Sequence, residues 1–239
     1  MNNKIRFRVI ILKILSIDTA TDICGIALTE DKQLITEYRS NFKRAHAEKI
    51  IDSMARVLED ASLSLVELDC IAVSIGPGSF TGLRIGLSVV KGIAFANNLP
   101  LVSVVTLDAL AYQALFWNGQ ICPIIKAQAD EAYTALYKVK DFTLERICDY
   151  RLIKLNMLEN FITEKTLVIN NGMKNLNEYA NNKLIQIAPE ELSFLSGITF
   201  AQMGYEKFQN GDVEDIETLE PLYLKEFKVK KKQRAVSGL

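Results

Sequence analysis

The stretch Ser74-Ile-Gly-Pro-Gly-Ser-Phe-Thr-Gly-Leu-Arg-Ile-Gly86 joins an apolar run over 70–75 to a strongly apolar stretch over 83–97. This pattern predicts a buried strand, a tight turn and a buried helix. Glycines let the backbone pass close to another group, and the free N–H groups at the start of a helix favour an anion. Two interpretations follow: the turn binds an anion or a nucleotide, or it is a tight turn without a ligand.

The turn matches neither of the common nucleotide-binding signatures. A P-loop requires a lysine after its second glycine, but Leu83 follows Gly82. In a dinucleotide fingerprint the third glycine comes three residues after the second, where this chain has Thr81. If the turn does bind an anion or a nucleotide, the candidate residues are Asp18, Thr19, Gly76, Gly78, Ser79 and Thr81.

Three of these polar residues also have a purely local explanation. Asp18 ends the first predicted strand, where it could hold a metal-bound water near a phosphate or cap the turn through its backbone N–H groups. Ser79 and Thr81 could donate to an anion, but both are also good N-cap residues for the following helix. The residues alone leave these alternatives open.

The pattern of strands and helices occurs in two rounds. The first round predicts strands over 14–18, 22–29, 33–40, 71–75 and 100–105, with helices over 45–61, 83–97 and 107–116. The second, weaker round predicts strands over 121–128, 132–139, 146–153 and 167–170, with helices over 156–163 and 199–210. This order predicts an α/β fold in which helices pack on mixed sheets.

The two rounds divide the chain into four expected segments. These are an N-terminal extension over 1–13, a first lobe over 14–116, a second lobe over 117–225 and a basic tail over 226–239. The last helix of the second lobe is a candidate for packing back on the first lobe. The tail carries five lysines and arginines between Lys228 and Arg234, which indicates either a solvated tail or a weak electrostatic contact with RNA.

Composition excludes several classes of protein. A formal net charge of -1 does not mark the whole chain as nucleic-acid binding, and no apolar run reaches the roughly 18 residues of a membrane span. The apolar run over 9–12 is too short for a signal peptide. The four cysteines are widely spaced and form no C-x-x-C pair, which indicates buried free thiols in a reducing compartment. We therefore expect a cytoplasmic protein that does not associate with membranes.

The chain has a single histidine, His46. It therefore cannot form an H-E-x-x-H zinc site or any other site with two histidine ligands. A serine triad would need Ser74 or Ser79 as its nucleophile, but His46 lies at the start of an amphipathic helix, which favours a capping or interface role. We predict no catalytic residue and no metal site, and the residues leave open whether this chain alone binds a nucleotide.

The helices predicted over 45–61 and 83–97 suggest a partner interface. The second helix is apolar on nearly all sides, and its small residues would let another helix approach closely. The alternative is that the second half of the chain covers this surface. The predicted interface residues are His46, Ile50, Met54, Gly82, Leu83, Gly86, Leu87 and Val90.

Four segments of the chain resemble one bacterial family. They are Ile14-Leu-Ser-Ile-Asp-Thr-Ala-Thr21, Ala72-Val-Ser-Ile-Gly-Pro-Gly-Ser-Phe-Thr-Gly-Leu-Arg-Ile-Gly86, Asn98-Leu-Pro-Leu-Val102 and Glu220-Pro-Leu-Tyr-Leu-Lys225. They look like TsaB (also called YeaZ), a family of tRNA threonylcarbamoyladenosine biosynthesis proteins, and the resemblance covers about residues 13–225. It implies the actin/Hsp70/sugar-kinase (ASKHA) fold, with two RNase H-like lobes that face a cleft.

The resemblance also implies a role. TsaB is similar to a catalytic paralogue, TsaD, whose metal-binding H-x-x-x-H motif falls on Thr106 and Leu110 here. Neither side chain can replace an imidazole ligand, so the resemblance implies a non-catalytic subunit that binds TsaD as a heterodimer. The complex, which the ATPase TsaE joins, makes N6-threonylcarbamoyladenosine in tRNAs that read codons starting with A. The resemblance implies ATP or ADP as a candidate cofactor at the level of the complex, and the isolated chain is expected to form a homodimer.

Two departures from the family pattern affect the second lobe. Lys126-Ala-Gln128 stands where relatives have Asp-Ala-Arg, and Asn170-Asn-Gly172 lacks a glycine before its Asn-Gly pair. The rival hypotheses are an ATP-dependent small-molecule kinase of the same fold, which would use Asp18 and the 76–82 turn, and a remote metallopeptidase. Turnover by the purified chain alone would favour the kinase.

Overall fold

The computed structural model describes residues 11–41, 47–174, 176–179 and 182–224 of the chain. The predictions for His46, for the N-terminal extension up to residue 10 and for the basic tail over 226–239 lie outside these residues. Within the described ranges, no helix has both the length and the hydrophobicity that a bilayer crossing requires.

The first half of the chain forms a five-stranded mixed sheet. Its strands are β1 (Lys13–Asp18), β2 (Ile23–Glu30), β3 (Gln33–Asn41), β4 (Cys70–Gly76) and β5 (Leu101–Val105). The order across the sheet is β3-β2-β1-β4-β5, with β1 antiparallel to β2 and parallel to β4. Short turns connect the antiparallel strands, whereas the parallel strands need longer crossovers.

Helices provide those crossovers. Helix α1 (Ala47–Asp60) leads from β3 to β4, and α2 (Phe80–Asn97) leads from β4 to β5. Both pack on one face of the sheet and form a core cluster with its strands. Helix α3 (Thr106–Tyr112) follows β5 directly and lies on the opposite face.

The second half forms a seven-stranded sheet. Its strands are β6 (Gly119–Gln128), β7 (Glu131–Thr134), β8 (Tyr137–Lys140), β9 (Thr143–Arg146), β10 (Arg151–Lys154), β11 (Thr166–Asn171) and β12 (Ile185–Ile187). The main path is β10-β7-β6-β11-β12, and β8 pairs with both β6 and β9. The short helix α4 (Leu158–Phe161) belongs to a core cluster with β6, β7 and β11.

The last helix, α5 (Gly197–Gln209), returns to the first sheet, where it packs on β1, β2, β4 and β5. Glu37 of β3 accepts hydrogen bonds at the start of this helix, from the Gly197 N–H at 2.6 Å and from the Ser196 hydroxyl at 2.8 Å. A carboxylate at a helix N-terminus is favoured by the helix dipole. Helix α3 contacts both α5 and β6 of the second sheet, so that α3 and α5 form a layer between the two sheets.

The core between the sheets joins both halves of the chain. Ile14 of β1, Phe200 of α5 and Ile121 of β6 all belong to one buried cluster. At the edge of this core, the Asp108 carboxylate of α3 accepts hydrogen bonds from the Tyr137 hydroxyl at 2.6 Å and the Tyr150 hydroxyl at 2.8 Å. These contacts connect the first half of the chain to the second.

The predicted fold class is confirmed, because two mixed sheets carry packed helices in the expected order. The strand predicted over 132–139 is interrupted at Ala135 and Leu136, so that it forms β7 and β8, which pair in succession with β6. The strand predicted over 146–153 is wrong, because β9 ends at Arg146 and β10 begins at Arg151. In both regions the interrupting residues are largely apolar, so hydrophobic patterning alone does not reveal the break.

Candidate functional site

The glycine-rich turn between β4 and α2 packs against the turn that follows β1. The Ser79 N–H donates to the Ala20 carbonyl oxygen at 2.7 Å. The Ser79 hydroxyl accepts a hydrogen bond from the Gly82 N–H at 3.2 Å and thereby caps α2. The helix consequently begins at Phe80, three residues before the predicted start.

Three glycines, each four residues after the last, allow this close contact. A Cβ atom built on Gly78 would lie 2.1 Å from the Ala20 carbonyl oxygen. A Cβ on Gly82 would lie 2.2 Å from the Thr19 carbonyl oxygen, and one on Gly86 would lie 2.2 Å from Thr19 Oγ1. Because real Cβ atoms essentially never approach within 3.0 Å, the chain's own β1–β2 turn fills the space that the glycines leave.

A cleft of about 1020 Å³ opens between the two lobes beside this turn. The β1–β2 turn and the start of α2 line it on one side, and the end of β6 and the turn after β11 line it on the other. Its polar and charged lining residues are Thr21, Asp22, Ser79, Lys126, Gln128, Tyr133, Asn171, Lys174 and Tyr223. The candidate anion-loop residues divide accordingly: Gly78 and Ser79 line the cleft, whereas Asp18, Thr19, Gly76 and Thr81 do not.

Asp18 is buried beneath the cleft, with 1 % of its surface exposed. Its Oδ1 accepts a hydrogen bond from the Ala20 N–H at 2.9 Å, which is the turn-capping alternative. Its Oδ2 has no hydrogen-bond partner among the described residues. Burial raises the pKa of this carboxyl group to about 6, and the hydrogen bond from Ala20 opposes that shift.

We expect the raised pKa of Asp18 to make the wild-type chain less stable as the pH increases. The folded chain holds the proton up to about pH 6, whereas the unfolded chain releases it near its ordinary pKa, so stability falls across this window. The Asp18→Asn variant keeps the acceptor for the Ala20 N–H but does not titrate. Its stability relative to wild type should therefore rise by about 2 kcal/mol between pH 4 and pH 7.

Urea unfolding of both proteins at several pH values measures this difference. Asp22→Asn is the matched control, because it makes the same change at an exposed carboxylate that lines the cleft. If the profiles of wild type and Asp18→Asn ran parallel from pH 4 to pH 7, the assignment would be contradicted.

An aromatic and guanidinium cluster stands at the mouth of the cleft. The Arg84 Nε donates to the Tyr223 hydroxyl at 2.9 Å, and the Arg84 guanidinium carbon lies 3.9 Å from the centre of the Phe80 ring. The Phe80 and Tyr223 ring centres are 5.3 Å apart. The segment that carries Tyr223 is anchored by the Leu222 N–H, which donates to the Ile75 carbonyl oxygen at 2.7 Å.

The second-lobe side of the cleft repeats the arrangement of a strand followed by a glycine turn. The Asn170 side chain accepts from the Met173 N–H at 3.0 Å and donates to the Met173 carbonyl oxygen at 2.9 Å. Gly172 has a φ of 87°, which glycine adopts without strain. Asn170 thus serves to close the turn, while Lys126 and Gln128 are exposed at the end of β6.

The predicted interface residues require a correction. Ile50, Met54, Leu83, Leu87 and Val90 expose at most 5 % of their surface, and Gly82 and Gly86 are buried as well. They pack within the first lobe of this chain, so their side chains are not offered to a partner. The apolar periodicity identified the buried sides of both helices correctly, but the surface that covers them belongs to the same chain.

The outer face of α1 and α2 carries the exposed apolar and small residues instead. We define this outer face by six exposed residues, which are Ile51, Ala55, Ser88, Gly92, Phe95 and Ala96. Phe95 exposes 76 % of its surface and Ile51 exposes 50 %. No described atom lies within 4 Å of a Cβ built on Gly92.

The two positions that correspond to the histidines of the TsaD H-x-x-x-H motif lie in the core. Thr106 and Leu110 in α3 are both fully buried. Among the described residues, the Thr106 hydroxyl has no hydrogen-bond partner. The described ranges also contain no group of three histidine, cysteine, aspartate or glutamate side chains that could hold a metal ion.

Sequence reasoning missed several residues at the cleft. The sequence singles out Tyr223 as part of the Glu220–Lys225 motif, but the motif does not predict its position at the cleft. No sequence pattern points to Lys174 or Phe80, since an isolated lysine or a phenylalanine within an apolar run is common.

Comparison with known proteins adds sequence and structural relatives. A family model described as TsaD, tRNA N6-adenosine threonylcarbamoyltransferase, matches residues 33–236. The tRNA threonylcarbamoyladenosine biosynthesis protein TsaB of Bacillus subtilis is 35% identical over 136 residues, which cover 57% of this chain and 59% of that relative. The match therefore spans little more than half of either protein.

Two further comparisons cover more of the chain. The TsaB protein of Buchnera aphidicola is 30% identical over 170 residues, or 68% of this chain and 80% of that relative. The solved structure of YeaZ from Pseudomonas aeruginosa has a TM-score of 0.75 and 23% sequence identity, and the match covers 89% of this chain and 100% of that one. The structural likeness extends over both lobes.

Proposed function

We propose a function from one premise: this chain belongs to the TsaB branch of the TsaD family. The chain takes part in the synthesis of N6-threonylcarbamoyladenosine in tRNA. It acts as a subunit without a catalytic centre of its own, binds TsaD and supports the activity of TsaD. TsaE is the expected third member of the complex.

The observation that carries the non-catalytic role is the interior of α3. The resemblance places the metal ligands of TsaD at Thr106 and Leu110, and here both side chains are buried in the core between the sheets. A leucine offers no donor atom, and a neutral hydroxyl is a poor ligand. Asp18, the carboxylate that a kinase of this fold would use, is buried outside the cleft.

The outer face of α1 and α2 is the surface that we propose for TsaD. Its exposed aromatic and aliphatic side chains, Phe95 and Ile51, would gain from burial against a partner. Its small residues, Ser88, Gly92 and Ala96, let a second helix pack closely. The same face would support a homodimer when TsaD is absent.

Reconstitution with purified proteins tests this function. Threonylcarbamoyl transfer from a supplied activated threonylcarbamoyl donor to tRNA is measured with TsaD and TsaE, with and without this chain, and complex formation is followed by size-exclusion chromatography. We expect co-elution with TsaD, at least a tenfold higher rate when the chain is present, and no transfer or ATP hydrolysis by the chain alone. ATP turnover by the isolated chain, or an unchanged TsaD rate without a complex, would exclude the proposal.

A further inference from the structure

We propose that the mouth of the cleft binds a single-stranded segment of RNA. We call this surface the cleft lip and define it by Phe80, Arg84, Lys126, Lys174 and Tyr223. In this arrangement a base stacks on the Tyr223 ring, and the lysines contact neighbouring phosphates. The inference rests on the proposed function in one respect, which is that tRNA is the RNA concerned.

The aromatic side of the lip is held in position and partly exposed. Tyr223 exposes 40 % of its surface, although its hydroxyl accepts a hydrogen bond from Arg84 and its ring packs beside Phe80. The Leu222 N–H anchors the backbone on Ile75 at 2.7 Å. An exposed ring that is already fixed loses little conformational entropy when a base stacks on it.

The opposite side of the lip is positive. Ile125 of β6 pairs with Asn171 of β11, so Lys126 and the turn that carries Lys174 follow at the same end of two neighbouring strands. Both lysines are exposed, and Asp22 is the only carboxylate among the described residues that line the cleft. Lysine ammonium groups at such a place pair with the phosphates of a nucleic-acid backbone.

The geometry favours a polynucleotide on the lip over a mononucleotide in the glycine turn. The Ala20 carbonyl already accepts from the Ser79 N–H, and the β1–β2 turn occupies the space beside Gly78 and Gly82. A nucleotide phosphate would have to displace this turn. The cleft itself, at about 1020 Å³, lies at the upper end of the range for small-molecule pockets and leaves room for an extended strand.

Fluorescence anisotropy with the isolated full-length chain tests the proposal. The probes are a labelled unmodified tRNA, a labelled ten-nucleotide RNA and labelled ADP, each at two salt concentrations. The test variant combines Lys126→Glu with Lys174→Glu, and Tyr223→Ala removes the stacking ring. The matched control combines Lys138→Glu with Lys140→Glu, two exposed lysines of β8 that do not line the cleft. A further variant ends at residue 225 and lacks the basic tail.

We expect the cleft-lip double variant to weaken RNA binding at least tenfold and Tyr223→Ala to weaken it about fivefold or more. The β8 control should stay within twofold of wild type, and the salt dependence should decrease only for the cleft-lip double variant. Equal losses in both lysine pairs, a loss confined to the truncated tail, or ADP binding as tight as RNA binding would overturn the proposal.

The outcome is independent of the reconstitution with TsaD. A chain that activates TsaD but does not bind RNA through the lip refutes only this inference. A chain that binds RNA through the lip but neither pairs with TsaD nor raises its rate refutes only the proposed function.

Discussion

Gly92→Glu is expected to lower the affinity of this chain for TsaD at least 100-fold while the chain stays folded. Gly92 is exposed in α2, and no described atom lies within 4 Å of a Cβ built there. The new side chain therefore meets no obstacle in the free chain. In the complex it would place a charge between two packed helices, and an unpaired buried charge is strongly unfavourable.

The position of Gly92 is itself an argument for contact with a partner. A glycine inside an exposed helix costs about 1 kcal/mol relative to alanine. Within the described residues, nothing in the free chain requires the absence of a side chain at Gly92. Ser88 and Ala96 extend the small surface by one turn on either side, and exposed Phe95 lies beside them. A second helix that packs closely on this face would account for all four residues.

Isothermal titration calorimetry with purified TsaD measures the effect, and thermal unfolding checks that the variant is folded. Gly92→Ala is the matched control, and we expect it to raise the stability of the free chain by about 1 kcal/mol and to bind TsaD within a few-fold of wild type. Thr143→Glu adds the same charge at an exposed position on β9. If folded Gly92→Glu bound TsaD as tightly as Thr143→Glu does, the outer face would not be the interface.

Local patterns were sufficient for most of the first lobe. The apolar run over 70–75, the glycine turn and the helix that follows were predicted from their spacing, because strand, turn and helix signals lie next to one another in the chain. Only the first helical turn was missed, since Ser79 caps the helix at Phe80. The alternative interpretation of Ser79 as an N-cap residue would have placed the start of α2 correctly at Phe80.

The partner of a buried surface could not be predicted in the same way. Leu87 and Val90 were expected to be covered, and they are, but by the first lobe itself. Hydrophobic periodicity predicts that a side chain is buried, but it does not predict which surface buries it. Residues on the opposite side, such as Ser88 and Gly92, gave no apolar signal and were overlooked.

The cleft illustrates the same limit over longer distances. Phe80 and Tyr223 are 143 positions apart in the chain, yet their rings pack side by side. Lys126 reaches the cleft only because β6 and β11 pair in a register that brings their ends together. Such contacts depend on sheet order and register, which a single sequence does not specify.

Gly86→Ala is expected to lower the free energy of unfolding by about 3 kcal/mol, even though alanine is the better helix former. The added Cβ would lie 2.2 Å from Thr19 Oγ1 and 3.0 Å from Thr19 Cγ2. Thr19 has only 2 % of its surface exposed and follows β1 directly, so it has little room to withdraw. Its β-branched side chain also has few alternative rotamers.

The cause of this loss can be separated from helix propensity by a second substitution. Thr19→Ala removes Oγ1 and Cγ2, which leaves Thr19 Cβ, at 3.1 Å, as the nearest of the three contacts. Thr19 Oγ1 has no hydrogen-bond partner among the described residues, so its removal should cost only about 1 kcal/mol of lost packing. In this background Gly86→Ala should cost less than about 1 kcal/mol, which gives a coupling energy of about 2 kcal/mol.

Urea unfolding of the two single variants and the double variant gives this coupling energy, and Gly92→Ala on the same helix reports the effect of alanine without a clash. We expect Gly86→Ala and Gly92→Ala to change stability in opposite directions. If Gly86→Ala were as destabilising in the Thr19→Ala background as in wild type, the close approach of α2 to the β1–β2 turn would not explain the glycine. The three glycines that face this turn would then need another reason, and a ligand at the turn would become the stronger explanation.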